Sequence, residues 1–156
     1  MIVKGLSPLY FINFKILTML GIAIAITAEA FRNKKDKGNQ PYILHCLRVM
    51  DKVEGDVSKQ AAVMHDLIED TDYTLGKLLA LGFSEEVLNI VNFLTHKKED
   101  SYEDYIRLVS YNSKAKKIKM ADLEDNSDIT RLKGLREKDI KRMIKYHKAY
   151  TYLKNN

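Results

Sequence analysis

The chain has 156 residues, 46% of them apolar and 30% charged, enough for one domain with a single core. Its net charge of +5 is too small to mark a dedicated nucleic-acid binder and is compatible with an anionic small-molecule ligand. One cysteine, Cys46, excludes an intrachain disulfide, and no Cys/His finger spacing is present for structural zinc.

From the N-terminus, Ile16 to Ile26 is an apolar run with Lys4 and Lys15 upstream and Ala28-Glu29-Ala30 downstream. This has the form of a secretion signal. It is too short to span a bilayer and continues into a helical pattern, so it reads as a buried first helix. Residues 1–18 are then expected to be an extension, with Met19 an alternative start and residues 19–156 the domain. Asn33 to Pro41 is a polar loop by composition. Tyr42 to Val53 reads as a helix entered after Pro41, and Val57 to Asp70 as a second, with Asp56 its cap.

Thr74 can cap a short helix ending near Gly82, and Ser84 the next, to about Leu94. Ser101-Tyr102-Glu103-Asp104 has capping-box form and opens a helix to about Val109. Lys114 to Asn126 and Glu137 to Leu153 complete the set. Only 7 glycines and 2 prolines interrupt the chain, and no segment alternates with period two. The expected fold is all-α, a compact bundle of about seven or eight helices.

Three groups of residues point to chemistry. On a helical wheel His65, Asp66, Glu69 and Asp70 share one arc, while Ala61, Met64, Leu67 and Ile68 face the other way. Three carboxylates and an imidazole repel unless a positive charge sits among them, and a divalent cation supplies it. A solvated acidic face is the plainer alternative, although acids at a helix C-terminus oppose the macrodipole. Asp122 and Asn126 stack at i, i+4, with Asp122 on the stripe of Ala115 and Ile118 that should be buried. A buried carboxylate needs a metal or a salt-bridge partner. His45, among Ile43, Leu44 and Leu47, is either a metal ligand or a satisfied core histidine.

Together these strings form a pattern. Pro41-Tyr42-Ile43-Leu44-His45, then Ala62 to Thr71 with His65-Asp66-Leu67-Ile68-Glu69-Asp70 inside it, then Lys119-Met120-Ala121-Asp122, resemble the HD superfamily of metal-dependent phosphohydrolases. More narrowly, they resemble the hydrolase domain of Rel/SpoT-type (p)ppGpp enzymes and their small stand-alone homologues, over residues 22–153. The resemblance implies Mn²⁺ held by His45, His65, Asp66 and Asp122, with Glu69 and Asp70 orienting or deprotonating the attacking water. It implies that Asn126, Arg142 and Tyr146 contact the nucleotide, a guanidinium fork suiting phosphate oxygens, with Lys37 and Lys119 further candidates. The implied reaction is hydrolysis of the 3′-pyrophosphate of guanosine tetra- or pentaphosphate to GDP or GTP and pyrophosphate. The expected partner is a small-molecule nucleotide, not a nucleic acid or a membrane, in the cytoplasm.

Two positions depart from the family pattern. Phe31 stands where a non-ligand histidine is common, and Asp36 where an arginine packs on guanine, which weighs against a guanine preference. Another phosphorylated nucleotide or nucleotide cofactor is therefore an alternative substrate. A non-catalytic nucleotide-binding module is another reading. A basic nucleic-acid-binding face built from Lys34, Lys35 and Lys37, or from Lys114, Lys116, Lys117 and Lys119, is a third.

Overall fold

A computed structural model describes residues 18–156; most of the expected extension at residues 1–18 and the start of the apolar run lie outside them. Among the described residues the regular structure is helical, apart from one isolated bridge between Lys35 and Pro41. No helix among them is long and apolar enough to cross a membrane.

The first helix, α1 (Met19–Ala30), starts at Thr18, whose hydroxyl accepts from the Gly21 amide, and buries Ile22, Ala23 and Ile26. The Asn33–Pro41 loop folds back on itself: Asp36 N donates to the Gln40 carbonyl and Tyr42 N to that of Lys34. Helix α2 (Tyr42–Asp51) then turns His45, Cys46 and Val49 inward.

The following stretch departs from the expected single helix. Helix α3 (Asp56–Val63) is preceded by Gly55 in a left-handed conformation (φ 83°), so Asp56 is the first helical residue and not the cap. Its carboxylate instead accepts from the side-chain amide of Gln60, at 2.5 Å. The helix stops at Met64 and resumes only as the short α4 (Leu67–Asp70). His65, Asp66, Glu69 and Asp70 are therefore not one continuous helical arc. The reason is burial: Ala61, Ala62, Val63, Met64 and Leu67 are all fully buried, on too wide an arc for one stripe.

The remaining helices begin at side-chain caps, as their sequences require. Thr74 caps α5 (Leu75–Ala80), Ser84 caps α6 (Glu85–Leu94) and Ser101 caps α7 (Tyr102–Ser110). Asn112 caps α8 (Ser113–Ser127) by accepting from Lys114 N and Ala115 N. In α9 (Glu137–Asn155) the Asp139 carboxylate reaches back to the Arg136 amide, at 3.1 Å. Counting the broken stretch from Asp56 to Asp70 as one helix, the α-helices among the described residues match the expected number.

Helix α3 lies against α1, α2 and α6, and α8 packs against α2, α6, α7 and α9. Because α8 is covered on several sides, it buries Asp122 and Asp125 along with Ala115, Ile118, Ala121 and Leu123. The site is built where α2, the α3–α4 break and α8 meet.

Candidate metal centre and nucleotide cleft

Three buried side chains converge from three parts of the chain. His45 Nε2 lies 3.2 Å from His65 Nε2 and 3.2 Å from Asp122 Oδ1, and His65 Nε2 lies 3.4 Å from the same oxygen. Asp66 brings Oδ2 to 3.0 Å from His65 Nε2 and accepts a hydrogen bond from the Tyr42 hydroxyl. The break between α3 and α4 permits this. It turns His65 inward while Asp66 faces the cleft.

The outward nitrogens define what the inward ones offer. His65 Nδ1 is 2.8 Å from the Ala62 carbonyl, which can only accept, so that nitrogen carries a proton. His45 Nδ1 is 2.6 Å from Asp125 Oδ2, a carboxylate acceptor. With both Nδ1 positions donating, the neutral rings turn two Nε2 lone pairs toward each other and toward two carboxylates. Two lone pairs facing one another require a positive charge at their centre, either a ring proton or a cation.

The electrostatics show that this centre attracts positive charge, as protons on the rings or as a cation. Burial opposes charge on both imidazoles, yet hydrogen bonds and charge from Asp122, with Asp125 on His45 and Asp66 on His65, raise both above the usual histidine value. Burial likewise opposes ionisation of Asp122, but the Lys119 ammonium and the two imidazoles hold it well below the carboxylate range. His45, His65 and Asp122 each offer one donor atom within 4.8 Å of the others. Two imidazole nitrogens with carboxylate oxygen suit a first-row divalent cation, so the residues present fit such an ion.

Above this cluster opens a cleft of about 410 Å³, within the size range of small-molecule sites. Asp66, Glu69, Asp70, Lys37, Lys119, Asn126, Arg142 and Tyr146 all line it, together with His45 and Asp122; His65 lies behind them. Asn126 Nδ2 donates to Asp122 Oδ1 at 2.6 Å, and Lys119 Nζ reaches Asp122 Oδ2 at 2.7 Å. Lys37 Nζ is 3.5 Å from the Tyr146 hydroxyl.

The two acids of the expected pair sit differently. Glu69 Oε2 accepts from His96 N at 3.1 Å, and burial raises its carboxyl above the usual glutamate value. Asp70 lies at the rim, 2.5 Å from Lys34 Nζ. Arg142 donates to Asp139 at 2.9 Å, while its Nε is buried without a partner.

Some cleft residues carry no sequence signal of a role. Tyr102, with a buried hydroxyl lacking a partner, and Tyr105, stacked on His96, are spaced like ordinary core residues of α7. Asp125 and Arg131 lie within the segment from Ala121 to Leu132, but periodicity does not say that they meet. Asp36, the reversed charge of the loop, bonds Arg131. Its carboxyl is buried, yet the Gln40 amide and the Arg131 charge hold it below the usual aspartate value.

No protein-family model matches the chain. It is 34% identical over 102 residues to the guanosine-3′,5′-bis(diphosphate) 3′-pyrophosphohydrolase MESH1 of Xenopus tropicalis, a match covering 58% of this chain and 56% of that protein. With MESH1 of Drosophila melanogaster it is 31% identical over 106 residues, covering 61% and 59%. The match thus spans less than two thirds of either relative. A solved structure of a metazoan SpoT ortholog, described as hydrolysing ppGpp, superimposes with a TM-score of 0.72 at 22% identity, covering 88% of this chain and 85% of that one. The chain is therefore similar in sequence to ppGpp 3′-pyrophosphohydrolases and has the all-α fold of the SpoT ortholog.

Proposed function

We propose that this protein is a metal-dependent phosphohydrolase that removes the 3′-pyrophosphate of guanosine tetra- or pentaphosphate in the cytoplasm. The observation that carries the reading is the meeting of two imidazole nitrogens and an aspartate oxygen within 4.8 Å at the floor of a cleft. The similarity to two 3′-pyrophosphohydrolases supports the choice of substrate.

In this reading His45, His65, Asp66 and Asp122 hold the cation, which we take to be Mn²⁺. When bound, such an ion polarises a phosphoryl oxygen and lowers the pKa of water. The protein's own groups do the rest. Glu69 and Asp70 orient the attacking water and take its proton. The oxygen of that water bonds to the phosphorus attached to the ribose 3′ oxygen, and the bond from phosphorus to that oxygen breaks. A proton returns to the 3′ oxygen, and GDP or GTP and pyrophosphate leave. Lys37, Arg142 and Tyr146 bind the nucleotide's phosphates, Asn126 contacts its ribose or phosphate region, and Lys119 neutralises Asp122 beneath it.

Another phosphorylated nucleotide or nucleotide cofactor is favoured by one observation. Position 36 is an aspartate, held by Arg131, so the loop offers no arginine there to pack on guanine. The test is turnover of ppGpp, pppGpp and a panel of other phosphorylated nucleotides by the purified chain, with and without Mn²⁺. Pyrophosphate release from ppGpp that needs Mn²⁺ and disappears in His65→Ala is the expected result. Turnover of a different nucleotide alone replaces the substrate; no Mn²⁺-dependent turnover at all removes the enzymatic reading.

A further inference from the structure

His45 Nδ1 does not end on an isolated carboxylate. Asp125, 5% exposed, accepts from His45 through Oδ2 at 2.6 Å and from Arg48 Nε through Oδ1 at 2.7 Å. Arg131 Nη1 donates to Asp125 Oδ2 at 2.6 Å and to the Asp125 carbonyl at 2.9 Å. Through Nη2 the same guanidinium holds Asp36, ninety-five positions away in the Asn33–Pro41 loop. Arg48 Nη2 also approaches Asp36, at 3.5 Å.

Two aspartates and two arginines therefore form a quartet whose charges cancel. The geometry matters to His45. The bond from Nδ1 to Asp125 fixes the rotation of the imidazole ring and turns Nε2 toward His65 Nε2 and Asp122 Oδ1. The loop is part of the same construction. Gln40 N donates to Asp36 Oδ1 at 2.9 Å, and a Cβ on Gly38 would lie 2.9 Å from the Arg131 carbonyl. The loop backbone thus rests directly on the residue that clasps Asp125.

We propose that Asp125 orients His45 for metal binding, and that Arg131, by gripping Asp125 and Asp36 together, makes the Asn33–Pro41 loop a positioning element of the metal centre. The inference rests on the metal reading above. It makes Asp36, which touches no proposed ligand, a determinant of metal affinity, and it ties the loop bearing Lys35 and Lys37 to the histidine beneath the cleft.

The experiment is calorimetric titration of Mn²⁺ into the metal-free full chain, with a thermal melt of each metal-free variant alongside. Asp125→Asn is expected to bind about 10–100-fold more weakly, as loss of a carboxylate behind a ligating histidine does. Asp36→Asn is expected to lose about 5-fold or more, the lower end of ordinary coupling between sites. The double variant should be no weaker than Asp125→Asn within about 2-fold, because both act through Arg131. Arg131→Lys, which keeps the charge but cannot fork between two carboxylates, should resemble Asp36→Asn. A purely structural role would lower the melting temperature and leave Mn²⁺ affinity unchanged. Wild-type affinity in Asp36→Asn and Arg131→Lys overturns the proposal while leaving the metal reading intact. Failure of the wild-type chain to bind Mn²⁺ overturns both.

Discussion

Asp122 and Asp70 show how differently two carboxylates of one cleft are held. Asp122 is buried between two imidazoles and Lys119, so removing any of these leaves charge stranded in low dielectric. Asp70 is exposed at the rim and paired with Lys34. Asp70→Asn is accordingly expected to leave Mn²⁺ bound and to cut turnover about 10²–10⁴-fold, the range for loss of a positioned acid–base group. His65→Ala should lose both metal and turnover; measuring bound Mn²⁺ beside the rate separates the two. Loss of metal in the Asp70 variant would mean that this side chain is a ligand. Asp36 sets a pH dependence of stability. Its carboxyl is lower in the folded protein than in the unfolded chain, so its contribution is fully present above the unfolded value of about 3.9 and fades as pH falls through the folded one. Asp36→Asn should cost about 1.5–3 kcal/mol at neutral pH, as for a hydrogen bond to a charged group. In paired melts that difference should shrink as the pH is brought below 4.

At the scale of elements, the break between α3 and α4 does most to build the site. A continuous helix from Val57 to Asp70 would set His65 and Asp66 about 100° apart on one rod. The turn at Met64 instead leaves His65 2% exposed and facing α2 and α8, while Asp66 lines the cleft. The start of α3 depends on Gly55, whose φ of 83° a side chain rarely adopts. Gly55→Ala should destabilise the fold by about 1–3 kcal/mol through this backbone strain alone, since nothing lies within 4 Å of the added Cβ. Urea unfolding with Mn²⁺ affinity measured in parallel checks this: stability should fall and affinity stay. The caps at Thr74, Ser84 and Ser101 were legible because a hydroxyl before a helical pattern satisfies an orphan amide locally. The break was not, because it answers to burial on both sides of the chain.

Across the whole molecule, the metal reading makes stability depend on the ion, since one cation would tie α2, the α3–α4 break and α8 together. Mn²⁺ at 100 times its Kd should stabilise the chain by about 2.7 kcal/mol, a chelator should reverse this, and His65→Ala should show neither effect in thermal melts. Core truncation acts independently of the ion: Leu67→Ala, at the fully buried first residue of α4, should cost about 2–5 kcal/mol with or without Mn²⁺. By itself the sequence determined the helical class, the helix starts where a polar side chain reaches its own backbone, and the residue types able to grip a cation. Those properties depend on neighbours within a turn or two, or on chemistry carried by each side chain. Only the tertiary structure decided that the chain breaks at Met64, that Tyr42 bonds Asp66, and that Asp36 meets Asp125 through Arg131. Each of these joins groups far apart in the chain or answers to the packing of several helices at once, and no local period encodes such a meeting.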